Sequence, residues 1–99
     1  MELEADPPSG AGPFGNPYND IGAYLIDQGQ WDSAIPWLSK ALKAPRYESY
    51  FFPHFNLGRV YEHRREWDRA RQHYVLALRL NRQYSPAYHA LRRLQAMWN

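Results

Sequence analysis

The chain has no cysteine, which excludes a disulfide framework, a thiolate metal site and a cysteine nucleophile. No apolar run approaches the ~20 residues that a membrane span needs, and the acidic, Pro/Gly-rich start lacks the pattern of a signal peptide. With neither feature in these residues, a soluble, cytoplasmic protein is the default expectation, and no membrane partner is expected. Lysine is missing from the second half. Residues 1–50 carry a net charge of −4, whereas residues 51–99 hold nine arginines against three acidic residues, for +6. This asymmetry suggests an acidic partner or an intramolecular one. Arginine without lysine favours planar, bidentate pairing with carboxylate or phosphate.

Catalytic signatures are equally scarce. There is no G-x-S-x-G and no P-loop. Gly10-Ala11-Gly12-Pro13-Phe14-Gly15 satisfies the letters G-x-G-x-x-G, but no strand precedes it and Pro13 removes a backbone donor. His54, His63, His73 and His89 show no short metal-ligand spacing. Asp20, Asp27 and Glu62 are the only acidic residues suitably placed for paired acid–base work, and nothing suggests the apolar pocket that would tune them. No enzyme activity, metal or cofactor is expected.

What the sequence does contain is helical periodicity. Residues 1–15, with three glycines and three prolines, read as a disordered linker or tail. Asn16-Pro17 opens a first helix, with Asn16 as N-cap and Asp20 in the first turn, running to about Gln28. Gly29 then supplies a left-handed residue. A second helix follows from Trp31 to Lys43, bent slightly by Pro36 and stopped by Pro45. Pro53 pushes Phe52 away from helical angles, so a third helix is predicted from Phe52 or Pro53 to His63. The turn at Arg64-Arg65-Glu66 has no glycine, which forces Arg65 toward a left-handed conformation. The last two helices are predicted at Trp67–Asn81 and Ser85–Trp98, the latter with Ser85 as N-cap and Pro86 after it.

These helices repeat one another. Tyr18, Ile21, Gly22, Leu25, Trp31, Asp32, Ala34, Leu38, Ala41 and Leu42 recur 36 residues later as His54, Leu57, Gly58, Tyr61, Trp67, Asp68, Ala70, Tyr74, Ala77 and Leu78. Tyr88 and Leu91 follow His54 and Leu57 at an offset of 34, with Arg92 in the glycine position. The pattern resembles the tetratricopeptide repeat, W-x2-L-G-x2-Y then A-x3-F then P, with its period of about 34 residues. The resemblance implies an all-α, short right-handed α-solenoid of about five antiparallel helices. The repeats are 16–49 and 50–84, with a capping helix at 85–98 inside a domain spanning 16–99.

It also implies a non-enzymatic scaffold or adaptor that holds a peptide or helix of a partner protein in a concave groove. The first helix of each repeat lines that groove. Carried over by position, its residues are Asn19, Asp20, Ala23, Ile26 and Asp27, then Phe52, Phe55, Asn56, Arg59, Glu62 and His63. The final helix adds His89, Ala90, Arg93, Ala96 and Met97. Spacing gives independent support. Phe52, Phe55, Asn56, Arg59 and His63 lie three or four residues apart, on the side away from Leu57 and Tyr61. Arg59 and Arg93 hold equivalent positions and should stand side by side, unless they instead pair with Glu62. The version of the fold that clamps the C-terminal carboxylate of heat-shock chaperones would use Asn19, Ala23, Asn56, Pro86 and Ala90. Only Asn56 matches it.

Two rival readings remain. Arg64, Arg65, Arg69 and Arg71, with Trp67 and Tyr74 among them, could bind nucleic acid, although Glu66 and Asp68 dilute that charge. Alternatively, Leu91, Leu94, Ala96, Met97 and Trp98 of the final helix leave apolar surface for self-association.

Overall fold

A computed structural model describes residues 16–45 and 49–97 of the chain, so the predicted tail at 1–15 and Trp98 lie outside the described residues. Five helices follow in order: α1 (Asn16–Asp27), α2 (Trp31–Lys43), α3 (Phe51–His63), α4 (Trp67–Leu80) and α5 (Ser85–Met97). There is no strand among the described residues. α1 pairs with α2 and α3 with α4, while α3 also packs on α1 and α2, and α4 on α5. The result is a short helical-repeat solenoid, in which each hairpin buries its apolar face against its neighbours.

The two hairpin turns are built alike. Gly29 has φ 79° and Arg65 φ 63°. Around them Gln30 N–H donates to the Leu25 carbonyl (2.8 Å) and Glu66 N–H to the Tyr61 carbonyl (2.9 Å). This six-to-one bond with a left-handed residue inside it satisfies the last carbonyls of α1 and α3. Glycine adopts that conformation without strain, whereas Arg65 does so at a cost of roughly 1 kcal/mol.

Close approach inside each hairpin comes from the repeated glycines. A Cβ on Gly58 would lie 2.5 Å from Tyr74 Cε1, and one on Gly22 would lie 2.5 Å from Leu38 Cδ2. Leu38 and Tyr74 are fully buried, as are Ala34 and Ala41 beside Leu38 on α2 and Ala70 and Ala77 beside Tyr74 on α4. Small residues on one helix thus admit one large side chain from the other. In α5, Arg92 stands where the glycines stand. Its Nη1 donates to the Tyr88 hydroxyl (2.9 Å), and its guanidinium lies 5.8 Å from the centre of the Tyr88 ring.

Three local expectations need correction. α3 begins at Phe51, so Phe52 is helical despite Pro53. Pro53 occupies the first turn, where its missing N–H has no intrahelical partner to lose. Phe51 and Phe52 are also held by Tyr84, whose ring centre lies 5.0 and 5.5 Å from theirs. Asp20 is the fifth residue of α1 and falls beyond the first turn. α1 and α4 each end one residue earlier than predicted, with Asn81 as the C-cap of α4. Pro36 does sit inside α2, and the helix continues through it to Lys43.

Candidate interaction surface

α1, α3 and α5 contribute the residues of interest. Asn19 and Asn56, read from the sequence as groove-lining, are instead largely buried, at 7% and 6% exposure. Asn56 Nδ2 donates to Asn19 Oδ1 at 3.1 Å, joining α3 to α1. Burying two amides is unfavourable unless they are paired, and here they pair with each other. Arg59 Nη1 in turn donates to Asn56 Oδ1 (3.1 Å), and its Nη2 lies 3.8 Å from Asp27 Oδ1. One polar chain therefore runs from the middle of α1 through α3 to the end of α1. It fixes the Arg59 guanidinium.

Glu62 forms a second hub, between α3, α4 and α5. Its Oε1 accepts from the Tyr74 hydroxyl (2.7 Å) and from Arg93 Nη2 (2.7 Å), and its Oε2 accepts from Arg93 Nε (3.0 Å). Burial by itself raises the Glu62 carboxyl, but the hydrogen bonds from Arg93 and Tyr74 and the Arg93 charge outweigh it and hold the group below its ordinary value. Arg93 is raised, chiefly by its hydrogen bond to Glu62. Burial, followed by the bond to Glu62, pushes the Tyr74 hydroxyl far up. Glu62 therefore stays ionised and Tyr74 stays a donor at neutral pH. Arg93 is tied bidentately at one edge but remains 55% exposed, so its charge faces solvent.

Beside these hubs lies an open hollow of about 520 Å³. Arg59, Glu62, His63, Arg93 and Met97, all read from the sequence as groove positions, line it. Arg59 and Arg93 thus border one hollow, and Arg93 also makes the pairing with Glu62. Trp31, Arg65 and Trp67 complete the lining. The Trp31 ring stacks on His63, with centres 4.2 Å apart and planes within 9°. Arg65 is exposed and, among the described residues, forms no ion pair. Three guanidinium groups face one carboxylate here, with indole and thioether surface between them.

The other predicted positions lie elsewhere. Phe52 and Phe55 pack on Tyr84, Phe55 at 5.3 Å edge-on, and Phe55 also meets Tyr74 at 5.6 Å. They therefore join the α3–α4 hairpin to the link before α5. Asp20 and His89 are exposed, and His89 sits beside Tyr88. Ala90 is buried in the core with Leu94. In the basic cluster, Arg64 and Arg69 both bind Glu66 (2.8 and 3.1 Å), and Arg64 also lies 3.5 Å from Asp32. Tyr74 is buried, so its own ring offers no face for a base to stack on.

Sequence reading missed one further pair. His54 on α3 and His73 on α4 face each other, Nδ1 to Nδ1, at 3.1 Å, and His73 stacks on Tyr61. Burial lowers both rings. The nearby His54 and Arg69 charges take His73 further, to about 4. Both are therefore neutral at pH 7, and one ring donates to the other. Among the described residues no three His, Cys, Asp or Glu side chains cluster as a metal site, and no helix is long and apolar enough to cross a membrane.

Comparison with known families matches the tetratricopeptide repeat model to residues 51–84. No curated protein matches the chain. The matched segment is the α3–α4 hairpin with its Gly58–Tyr74 contact and its link to α5, and α1–α2 repeats its packing glycine and turn geometry. Residues 51–84 are a tetratricopeptide repeat, and the chain that carries them is a helical-repeat protein.

Proposed function

We propose that this chain is a non-enzymatic scaffold or adaptor module, and that the hollow between α3, α5 and the hairpin turns binds a short acidic segment of a partner protein. Tetratricopeptide repeats generally mediate protein–protein interaction and are typically non-catalytic. One observation carries the finer reading: Arg59, Arg65 and Arg93 border the same hollow, with Glu62 the one carboxylate among its lining residues, Asp27 3.8 Å from Arg59 at its edge, and Trp31 and Trp67 supplying apolar surface. Arg59 is held in place by Asn56, so little of its freedom remains to be lost on binding. A carboxylate bridging Arg59 and Arg65 would make charge-assisted bonds of ~1.5–3 kcal/mol each where water is excluded.

Selection from a displayed peptide library tests this. The native chain should enrich peptides with carboxylates flanking an apolar side chain. Arg65→Gly and Arg59→Gln should each weaken those peptides several-fold without loss of helicity. Enrichment of peptides lacking acidic residues, or binding by either variant as tight as that of the native chain, would refute it.

A further inference from the structure

The hollow asks for an extended ligand with carboxylates on one side and apolar groups on the other. Such a segment occurs in the chain itself. Residues 1–6 read Met-Glu-Leu-Glu-Ala-Asp, and they alternate strictly. In an extended chain successive side chains point to opposite sides. Glu2, Glu4 and Asp6 would therefore share one edge and Met1, Leu3 and Ala5 the other. Arg59, Arg65 and Arg93 offer the complement for the first edge, and Trp31, Trp67 and Met97 for the second. Met97 is 56% exposed, so its side chain is open to such a contact.

The tether is long enough. Asp6 is separated from Asn16 by ten residues, which reach about 33 Å when extended. α1, with twelve residues, is about 18 Å long. At its far end Asp27 lies 3.8 Å from Arg59. The segment can therefore run the length of α1 and still reach Arg59 at the border of the hollow. Pro7 and Pro8, immediately after the acidic segment, favour the extended geometry that this path needs.

We propose that residues 1–6 dock in cis, as an extended segment, in the hollow bordered by Arg59, Arg65 and Arg93, and compete there with the acidic segment of a partner. This inference rests on reading the hollow as an acidic-peptide site. It assigns the −4 and +6 halves of the chain to each other. It also makes partner binding conditional: a partner peptide must displace a tethered one, whose effective concentration is in the millimolar range for a short flexible link.

The chain has no native cysteine, so a nitroxide can be placed uniquely on the full-length protein at Ser9→Cys. Paramagnetic broadening of the Trp31 and Trp67 indole signals then reports docking. With Glu2, Glu4 and Asp6 intact, broadening should be several-fold greater than in a Glu2→Gln, Glu4→Gln, Asp6→Asn chain. It should not change with protein concentration, and it should vanish in 0.5 M salt, where the screening length is only a few ångströms. Equal broadening in both chains overturns the proposal. So does broadening that appears only in trans, when labelled and unlabelled chains are mixed, because that identifies a second copy as the occupant. A free Glu-Leu-Glu-Ala-Asp peptide added to the Glu2→Gln, Glu4→Gln, Asp6→Asn chain separates the two readings. If the peptide shifts Trp67 but the tethered label does not, cis docking falls and the acidic-peptide site stands. If neither responds, both fall.

Discussion

Gly58 and Tyr74 are matched by shape: the tyrosine ring lies where a Cβ on the glycine would be, 2.5 Å from Cε1 and 2.6 Å from Cδ1. The ring has no room to retreat, since Tyr74 is fully buried and its hydroxyl is bound to Glu62. Gly58→Ala should therefore destabilise the fold by about 2 kcal/mol despite alanine's better helix propensity. Thermal unfolding would show it as a fall in Tm of roughly 10 °C.

Asn19 and Asn56 should behave as one unit. Removing either amide leaves the other buried without its partner, at a cost of about 1–3 kcal/mol. In a double-mutant cycle with Asn19→Ala and Asn56→Ala, urea unfolding should give a coupling near 1 kcal/mol. Strict additivity would mean that solvent satisfies these amides.

Arg65→Gly should be stabilising. It relieves the left-handed backbone at φ 63° and removes no ion pair seen among the described residues. The expected gain is about 0.5–1 kcal/mol, set against the greater freedom of glycine in the unfolded chain. The same variant should bind acidic peptides less tightly. Chemical denaturation and a peptide titration would thus move in opposite directions.

Stability should fall on mild acidification. The folded state holds His54 and His73 neutral, His73 with a value of about 4 against an ordinary 6.5. Their unfolded forms bind protons first, so the stabilisation is complete above pH 6.5 and is lost as pH falls from 6.5 toward 4. With both rings only partly buried, His73 should lose about 1 kcal/mol between pH 7 and pH 5. His73→Gln should flatten the urea midpoint over that interval. Glu62 acts in the same direction over a lower range. Its folded value lies below 4.5, so its contribution persists above that pH and fades only below it.

Much of this architecture was legible because helices and repeats write themselves locally. Gly22 and Gly58, the tryptophans at the starts of α2 and α4, and the left-handed position at Arg65 all follow from spacing along the chain. Contacts between elements were less accessible. Asn19 and Asn56 occupy groove positions by register, yet they turn toward each other and are buried, a pairing that no single helix reveals. His54 and His73 are 19 residues apart and meet only because the hairpin folds back. Trp31 and Trp67 were legible as repeat positions at the starts of α2 and α4. Their place at the hairpin turns leaves them partly exposed and brings them to the hollow. Tyr84 gave no signal at all, since its role depends on three phenylalanines from another helix.

Arg92 bears on how such molecules meet one another. Any helix seeking to lie against α5 as α4 lies against α3 would encounter a guanidinium held over Tyr88 in place of the flat saddle that a glycine leaves. It would have to strip water from that charge before gaining apolar contact. A helix stacked on the side of α5 bearing Arg92 would thus meet a desolvation cost of the kind that charged lysines impose along the rim of a β-sheet.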